Sequence, residues 1–100
     1  MVIVITRHAP LVNYLCEIGL TDRSARVIAH ATADDVRDAD VIGVLPMHLA
    51  ALAHTVTEIP LALTPEDRAA MQSGDLAIER LREIAGAPVT YRVTIIDDPR

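Results

Sequence analysis

Apolar positions along the chain fall in short runs separated by stretches with helical spacing. Val2-Ile3-Val4-Ile5 is continuously hydrophobic, the mark of a strand covered on both faces. Leu11, Leu15 and Ile18 then recur at helical intervals, and Gly19 supplies a stop. Arg26-Val27-Ile28-Ala29 predicts a second strand ending at His30, and Thr32 with Asp35 three residues on predicts a capped short helix. Asp40 leads into a third strand, Val41–Leu45, which Pro46 stops; Leu49, Leu52 and Ala53 repeat at helical spacing after it. Gly43 within that strand suits a close packing contact. Ile59–Leu63 is the expected fourth strand, with Pro60 pushing it toward a sheet edge or a later start. Thr64-Pro65-Glu66-Asp67 opens a helix with a cap, a proline at the first helical position and acids in the first turn. Ser73-Gly74-Asp75 breaks it, and a second helix runs through Leu76, Leu81 and Ile84 to near Gly86. Val89, Tyr91, Val93 and Ile95 alternate as a last strand, leaving Asp97–Arg100 as a frayed tail.

Strands alternating with helices define an α/β class: one domain over residues 1–100, with a mostly parallel sheet of about five strands and helices on both faces. In such a sheet every parallel strand delivers its C-terminal end to one rim, where open α/β folds bind ligands. That rim collects Arg7, His8, His30 and His48, whereas His54, placed at the end of a helix, belongs to the opposite rim. Arg7 and His8 together suit a phosphate, because a guanidinium offers a planar fork of donors and an imidazole moves protons near neutral pH. At each of these positions the structural alternative is a surface ion pair, a cap or a hydrogen-bonded packing histidine.

Composition narrows the chemistry. Apolar residues make up 51% of the chain, yet Phe and Trp are absent and only Tyr14 and Tyr91 are aromatic, so the core is aliphatic and base stacking on aromatics is nearly excluded. The formal charge is -5 and the chain has no Lys. A broad surface for long nucleic acids is therefore not expected, while an arginine-lined pocket is compatible. The single Cys16, in the first helix, is expected to be a buried small side chain and leaves no internal disulfide, which suits a reducing cytoplasm. No apolar stretch approaches a membrane span, so a soluble cytoplasmic protein is expected.

Several phosphate-handling classes drop out. No Gly-x-Gly-x-x-Gly follows a strand and no Gly-rich loop with Lys exists, which argues against dinucleotide and nucleoside-triphosphate sites. An Arg-His after the first strand invites comparison with histidine phosphatases, but Ala9 stands where their motif has Gly. Close metal-ligand spacing is missing, so no metal and no cofactor is expected.

The first half bears a more specific resemblance. Thr6-Arg7-His8 with Tyr14, then Val27-Ile28-Ala29-His30, then Asp40 to Pro46 running into Leu49-Ala50-Ala51, is similar to small CRISPR-associated proteins that accompany type III systems and act as ring nucleases. Those proteins usually carry Ser at the Thr6 position, Pro-Gly at Ala9-Pro10, Trp at Tyr14 and Asn at His48. The resemblance implies a Rossmann-like domain, related to the sensor domains of those systems and working as a homodimer on cyclic tetra-adenylate. It implies metal-independent ring opening: a ribose 2′-hydroxyl attacks the adjacent phosphate, leaving a 2′,3′-cyclic phosphate and a free 5′-hydroxyl. In that scheme Arg7 clamps the scissile phosphate and His8 or His48 is acid or base. Thr6 and the helix opening at Pro46 and Met47 hold a second phosphate, His30 orients a ribose, and Tyr14 belongs to the ligand-binding block. The rival readings are a protein that binds the ring without cutting it, as a sponge or sensor, and a regulatory subunit whose rim histidines are incidental.

Overall fold

A computed structural model describes residues 2–97 of the chain. Five strands, β1 (Val2–Ile5), β2 (Arg26–Ile28), β3 (Asp40–Gly43), β4 (Thr55–Glu58) and β5 (Val89–Tyr91), form one sheet in the order β2-β1-β3-β4-β5. β1 pairs in parallel with β2 and β3, and β3 with β4, while β5 closes the edge antiparallel to β4. The mostly parallel α/β architecture expected from the sequence is thus present. Its helices are α1 (Ala9–Glu17), α2 (Ala33–Val36), α3 (Met47–Ala50), α4 (Pro65–Gln72) and α5 (Ile78–Ile84).

Strand pleating splits the core into two layers. Ile3 and Val41, register partners on β1 and β3, point with Val56 into a cluster that takes Val36 at the end of α2 and Ala50 of α3. Their neighbours Val4 and Ile42 point to the other face, where Leu15 of α1 covers them. On that side a third cluster joins Tyr14, Leu76 and Leu81, so that α1 packs with α4 and α5. Full burial of aliphatic side chains of this size contributes roughly 1.5–3 kcal/mol each, which compensates for the missing large aromatics. Cys16 is only half-buried rather than enclosed, because α1 turns Leu15 and Tyr14 inward instead.

Local signals place the helix ends. Thr32 and Thr64 both accept from the backbone N–H three residues on, and Asp35 and Asp67 return the bond to the cap residue's own N–H. Asp67 is buried and also takes a two-pronged contact from Arg80, Nε at 3.0 Å and Nη2 at 2.9 Å, which ties α4 to α5. That guanidinium, with the Thr64 N–H, holds the Asp67 carboxyl far below the usual carboxylate range. The break at Ser73-Gly74-Asp75 falls where the sequence put it, between α4 and α5.

The fourth strand needs correction. It is Thr55–Glu58, not Ile59–Leu63; Leu61 makes only an isolated antiparallel bridge to Ala85. The β-branched Thr55-Val56-Thr57 pairs with Asp40-Val41-Ile42 and buries Val56 beside Val41, whereas Pro60 has no N–H to give a ladder. β5 is also shorter than the alternation suggested, ending at Tyr91, and all three of its residues are exposed on the sheet edge. Asp97 is exposed, and the rest of the expected frayed tail lies outside the described residues. Among the described residues no helix is long and apolar enough to cross a membrane.

Candidate functional site

Strand order places the site. From β1 the chain winds outward to β2, then returns to β3 on the other side of β1, so the connections diverge above the C-terminal ends of β1 and β3. This switch point is where open α/β sheets leave a crevice. Gly43 keeps it tight: with φ +144°, a Cβ there would lie 2.6 Å from the Ile5 carbonyl oxygen, so only glycine lets β3 end flush against β1.

A cleft of about 710 Å³ opens at this point. Its floor is aliphatic, with Val4 and Ile42 from the sheet, Leu11 and Leu15 from α1, and Ile59 and Leu63 from the segment after β4. Its polar wall comprises Thr6, Arg7 and His8 on one side, and Arg68, Gln72 and Ser73 of α4 and its C-terminal cap on the other. A second, open recess of about 370 Å³ shares this wall, Thr6, Arg7 and His8 lining both.

The electrostatics of this region are one-signed. Among the described residues no Asp or Glu lines either recess, although the chain is acidic overall. Elsewhere the guanidinium groups are occupied: Arg26 by Asp35, Arg37 by Asp34, Arg80 by Asp67 and Glu83, and Arg82 by Glu17, while Arg92 meets His54. Arg7 and Arg68 have no hydrogen-bond or ion-pair partner among the described residues, and both face the cleft. Such a concavity, with cations left bare above an apolar floor, attracts an anion that also carries an apolar part.

His8 occupies an unexpected place. It is only 5% exposed, and its Nε2 donates to the Leu76 carbonyl at 2.9 Å, 68 positions away in sequence. The bond fixes Nε2–H, because a carbonyl only accepts, and it clamps the start of α1 to the segment between α4 and α5. The other ring nitrogen, Nδ1, is buried with no partner among the described residues. The His8 backbone N–H is taken by Thr6 Oγ1 at 3.1 Å, so the Thr6-Arg7-His8 turn is internally braced.

The remaining expected site residues are more scattered. His30 and His48 sit after β2 and on α3 at the same rim, both exposed, but neither lines the cleft or the second recess. Pro46 and Met47 cap and begin the single turn of α3 beside Val44, which does line the cleft. Tyr14 is buried against Leu76 and Leu81, on the inner side of α1, and does not reach the cleft. Among the described residues no group of three or more His, Cys, Asp or Glu side chains converges as a metal site would require. His54 stands at the opposite rim, as expected, although as the residue before β4 rather than a helix end; its Nδ1 lies 2.7 Å from Asp40.

Arg68 was not singled out by the sequence reading. A signal existed: positions three and four residues away along α4 are Thr64, Pro65, Met71 and Gln72, so no carboxylate can neutralise it along its own helix.

Fold and site together define a small α/β domain with an anion-receptive cleft at its switch point. Over residues 3–94 the chain matches the family described as "Putative CRISPR-associated protein (Cas_VVA1548)", and it belongs to that family of CRISPR-associated proteins. No curated protein and no solved structure matches the chain.

Proposed function

We propose that this protein binds a cyclic oligoadenylate, cyclic tetra-adenylate in the first instance, and opens the ring by metal-independent attack of a ribose 2′-hydroxyl. One observation carries the reading: Arg7 and Arg68, whose guanidinium groups have no partner among the described residues, both line a carboxylate-free cleft at the switch point. The family membership supplies the biological setting, and the resemblance of the Thr6-Arg7-His8 block to ring nucleases supplies the reaction class.

Within this reading Arg7 and Arg68 grip phosphates from opposite sides while a nucleoside covers the aliphatic floor. In the ring-opening step the 2′-oxygen bonds to phosphorus, the bond from phosphorus to the 5′-oxygen breaks, and the 5′-oxygen gains a proton as the 2′-hydroxyl loses one. Alignment of the attacking oxygen and stabilisation of charge on the phosphate by Arg7 are the main contributions. Of the rim histidines, His30 and His48 are both exposed, and in this reading His48 on α3 is the candidate acid or base, while His8 serves the wall through its bond to Leu76. One cleft has the volume of a single small-molecule site, ~300–1,000 Å³, which is less than a four-nucleotide ring needs. A twofold pair of clefts accommodates such a ring symmetrically, so we take the active form as a homodimer. Val44 and Met47, 74% and 72% exposed beside the cleft, offer apolar contact for a second copy.

The second reading is retention of the ring without cleavage. It is favoured by the position of His8, the only histidine lining the cleft among the described residues, whose Nε2 is already committed. Incubating the protein with labelled cyclic tetra-adenylate in EDTA separates the two. Linear product ending in a 2′,3′-cyclic phosphate supports the nuclease; tight binding with the ring intact establishes the sponge or sensor; no binding removes both.

A further inference from the structure

The second recess shares its inner wall, Thr6-Arg7-His8, with the main cleft and adds Asn13 and Arg23 on its outer side. Arg23 Nη1 donates to the Asn13 side-chain oxygen at 2.7 Å. This pairing differs from those of the other arginines bridged to carboxylates: a neutral amide orients the guanidinium while leaving its charge uncompensated. The adjacent carboxylate, Asp22, is occupied with the Ser24 N–H and hydroxyl and does not line the recess. Arg7 therefore lines two carboxylate-free recesses, sharing the main cleft with Arg68 and the other with Arg23.

From this arrangement we infer that the second recess is a seat for a further phosphate, and that the protein engages a run of at least two phosphodiester-linked phosphates. Arg7 holds one, and Arg23, steered by Asn13, holds its neighbour. Thr6 lines the same recess with its side chain already accepting from the His8 N–H, which braces the shared Thr6-Arg7-His8 turn. The chemical class is an oligonucleotide or another linear run of phosphates rather than a mononucleotide. The inference rests on the cyclic-oligoadenylate reading only for the choice of nucleoside.

The test compares two linear probes by calorimetry: adenosine 5′-monophosphate, with one phosphate, and 5′-phosphorylated diadenylate, with two. Charge-assisted hydrogen bonds of this kind are worth about tenfold or more in affinity. Arg23→Gln is expected to weaken the two-phosphate probe by that factor and to leave the one-phosphate probe within about twofold. Asn13→Ala should give the same split at smaller size, because it frees the guanidinium without removing it. Circular dichroism confirms that each variant is folded, and both sites are at the surface. Equal affinity of Arg23→Gln and the unaltered protein for the two-phosphate probe, equal losses for both probes, or no binding of that probe to the unaltered protein overturns the inference. If cyclic tetra-adenylate binds but is never opened, the nuclease reading falls while the split between the probes still establishes the second seat.

Discussion

The two rims of the sheet treat charge in opposite ways. At the N-terminal rim Asp40 accepts from Thr55 Oγ1 at 2.8 Å and lies 2.7 Å from His54, whose other nitrogen meets Arg92 at 2.9 Å. These charged groups are partnered to one another. At the C-terminal rim Arg7 and Arg68 have none among the described residues, and Asp and Glu are absent from the surrounding walls. The chain has ample carboxylates and pairs guanidinium groups with them elsewhere, so this bare pair in a concavity is the feature on which the proposed anion site rests. The rims also differ in histidine: His54 is exposed and hydrogen-bonded to Asp40, whereas His8 is buried and tethers two distant segments.

The sharpest way to break this contrast is at Arg7. Arg7→Ala should slow ring opening by about 10² or more in single turnover, the scale of losing one transition-state donor; an unchanged rate would sink the clamp role. Next comes the floor of the switch point. Gly43→Ala forces a side chain into positive φ and against the Ile5 carbonyl, and we expect a stability loss of about 1–3 kcal/mol in urea unfolding. A neutral result would mean that β3 can end elsewhere without cost. Arg68→Ala should weaken binding of cyclic tetra-adenylate about tenfold, as for one lost charge-assisted bond, with ring opening at saturation changed less than for Arg7→Ala. Should both substitutions act equally on rate and affinity, the two arginines would not divide clamp and grip.

Smaller effects belong to the compensated rim. His54 and Thr55 hydrogen bonds keep the Asp40 carboxyl below its usual range. Its folded value is therefore depressed, so its contribution is present above the unfolded carboxylate value of about 3.9 and is lost as pH falls toward the folded value. Asp40→Asn should accordingly lower the melting temperature slightly at neutral pH and converge with the unaltered protein in acid; a gap that widens in acid contradicts the pairing. The smallest effect is expected from His54→Ala, which should leave ring opening within about twofold while Arg7→Ala abolishes most of it. A large loss there would erase the distinction between the rims.

Much of the scaffold was legible because it depends on neighbours in sequence. The hydrophobic run Val2–Ile5, the capping boxes at Thr32 and Thr64 and the break at Ser73-Gly74 are local events, decided by side-chain periodicity and by which backbone N–H a nearby oxygen can reach. β4 was misplaced because Ile59–Leu63 is the more hydrophobic segment, while strand pairing went to Thr55–Glu58, whose Val56 fits beside Val41. The site was legible in part for the same reason. Thr6-Arg7-His8 follows a strand and precedes a helix, so its rim could be named; that His30, His48 and Tyr14 stay out of the cleft depended on packing that the spacing of residues does not encode.

By itself the sequence determined the alternation of strands and helices, the rim at which residues following the parallel strands collect, and an arginine-only basic set in an acidic chain. Only the tertiary structure decided which described arginines remain unpaired, that His8 reaches Leu76, and that Arg7 shares one recess with Arg68 and another with Arg23. Local order follows from contacts within a few residues, whereas charge compensation depends on which side chains the folded chain brings within a few ångströms of one another.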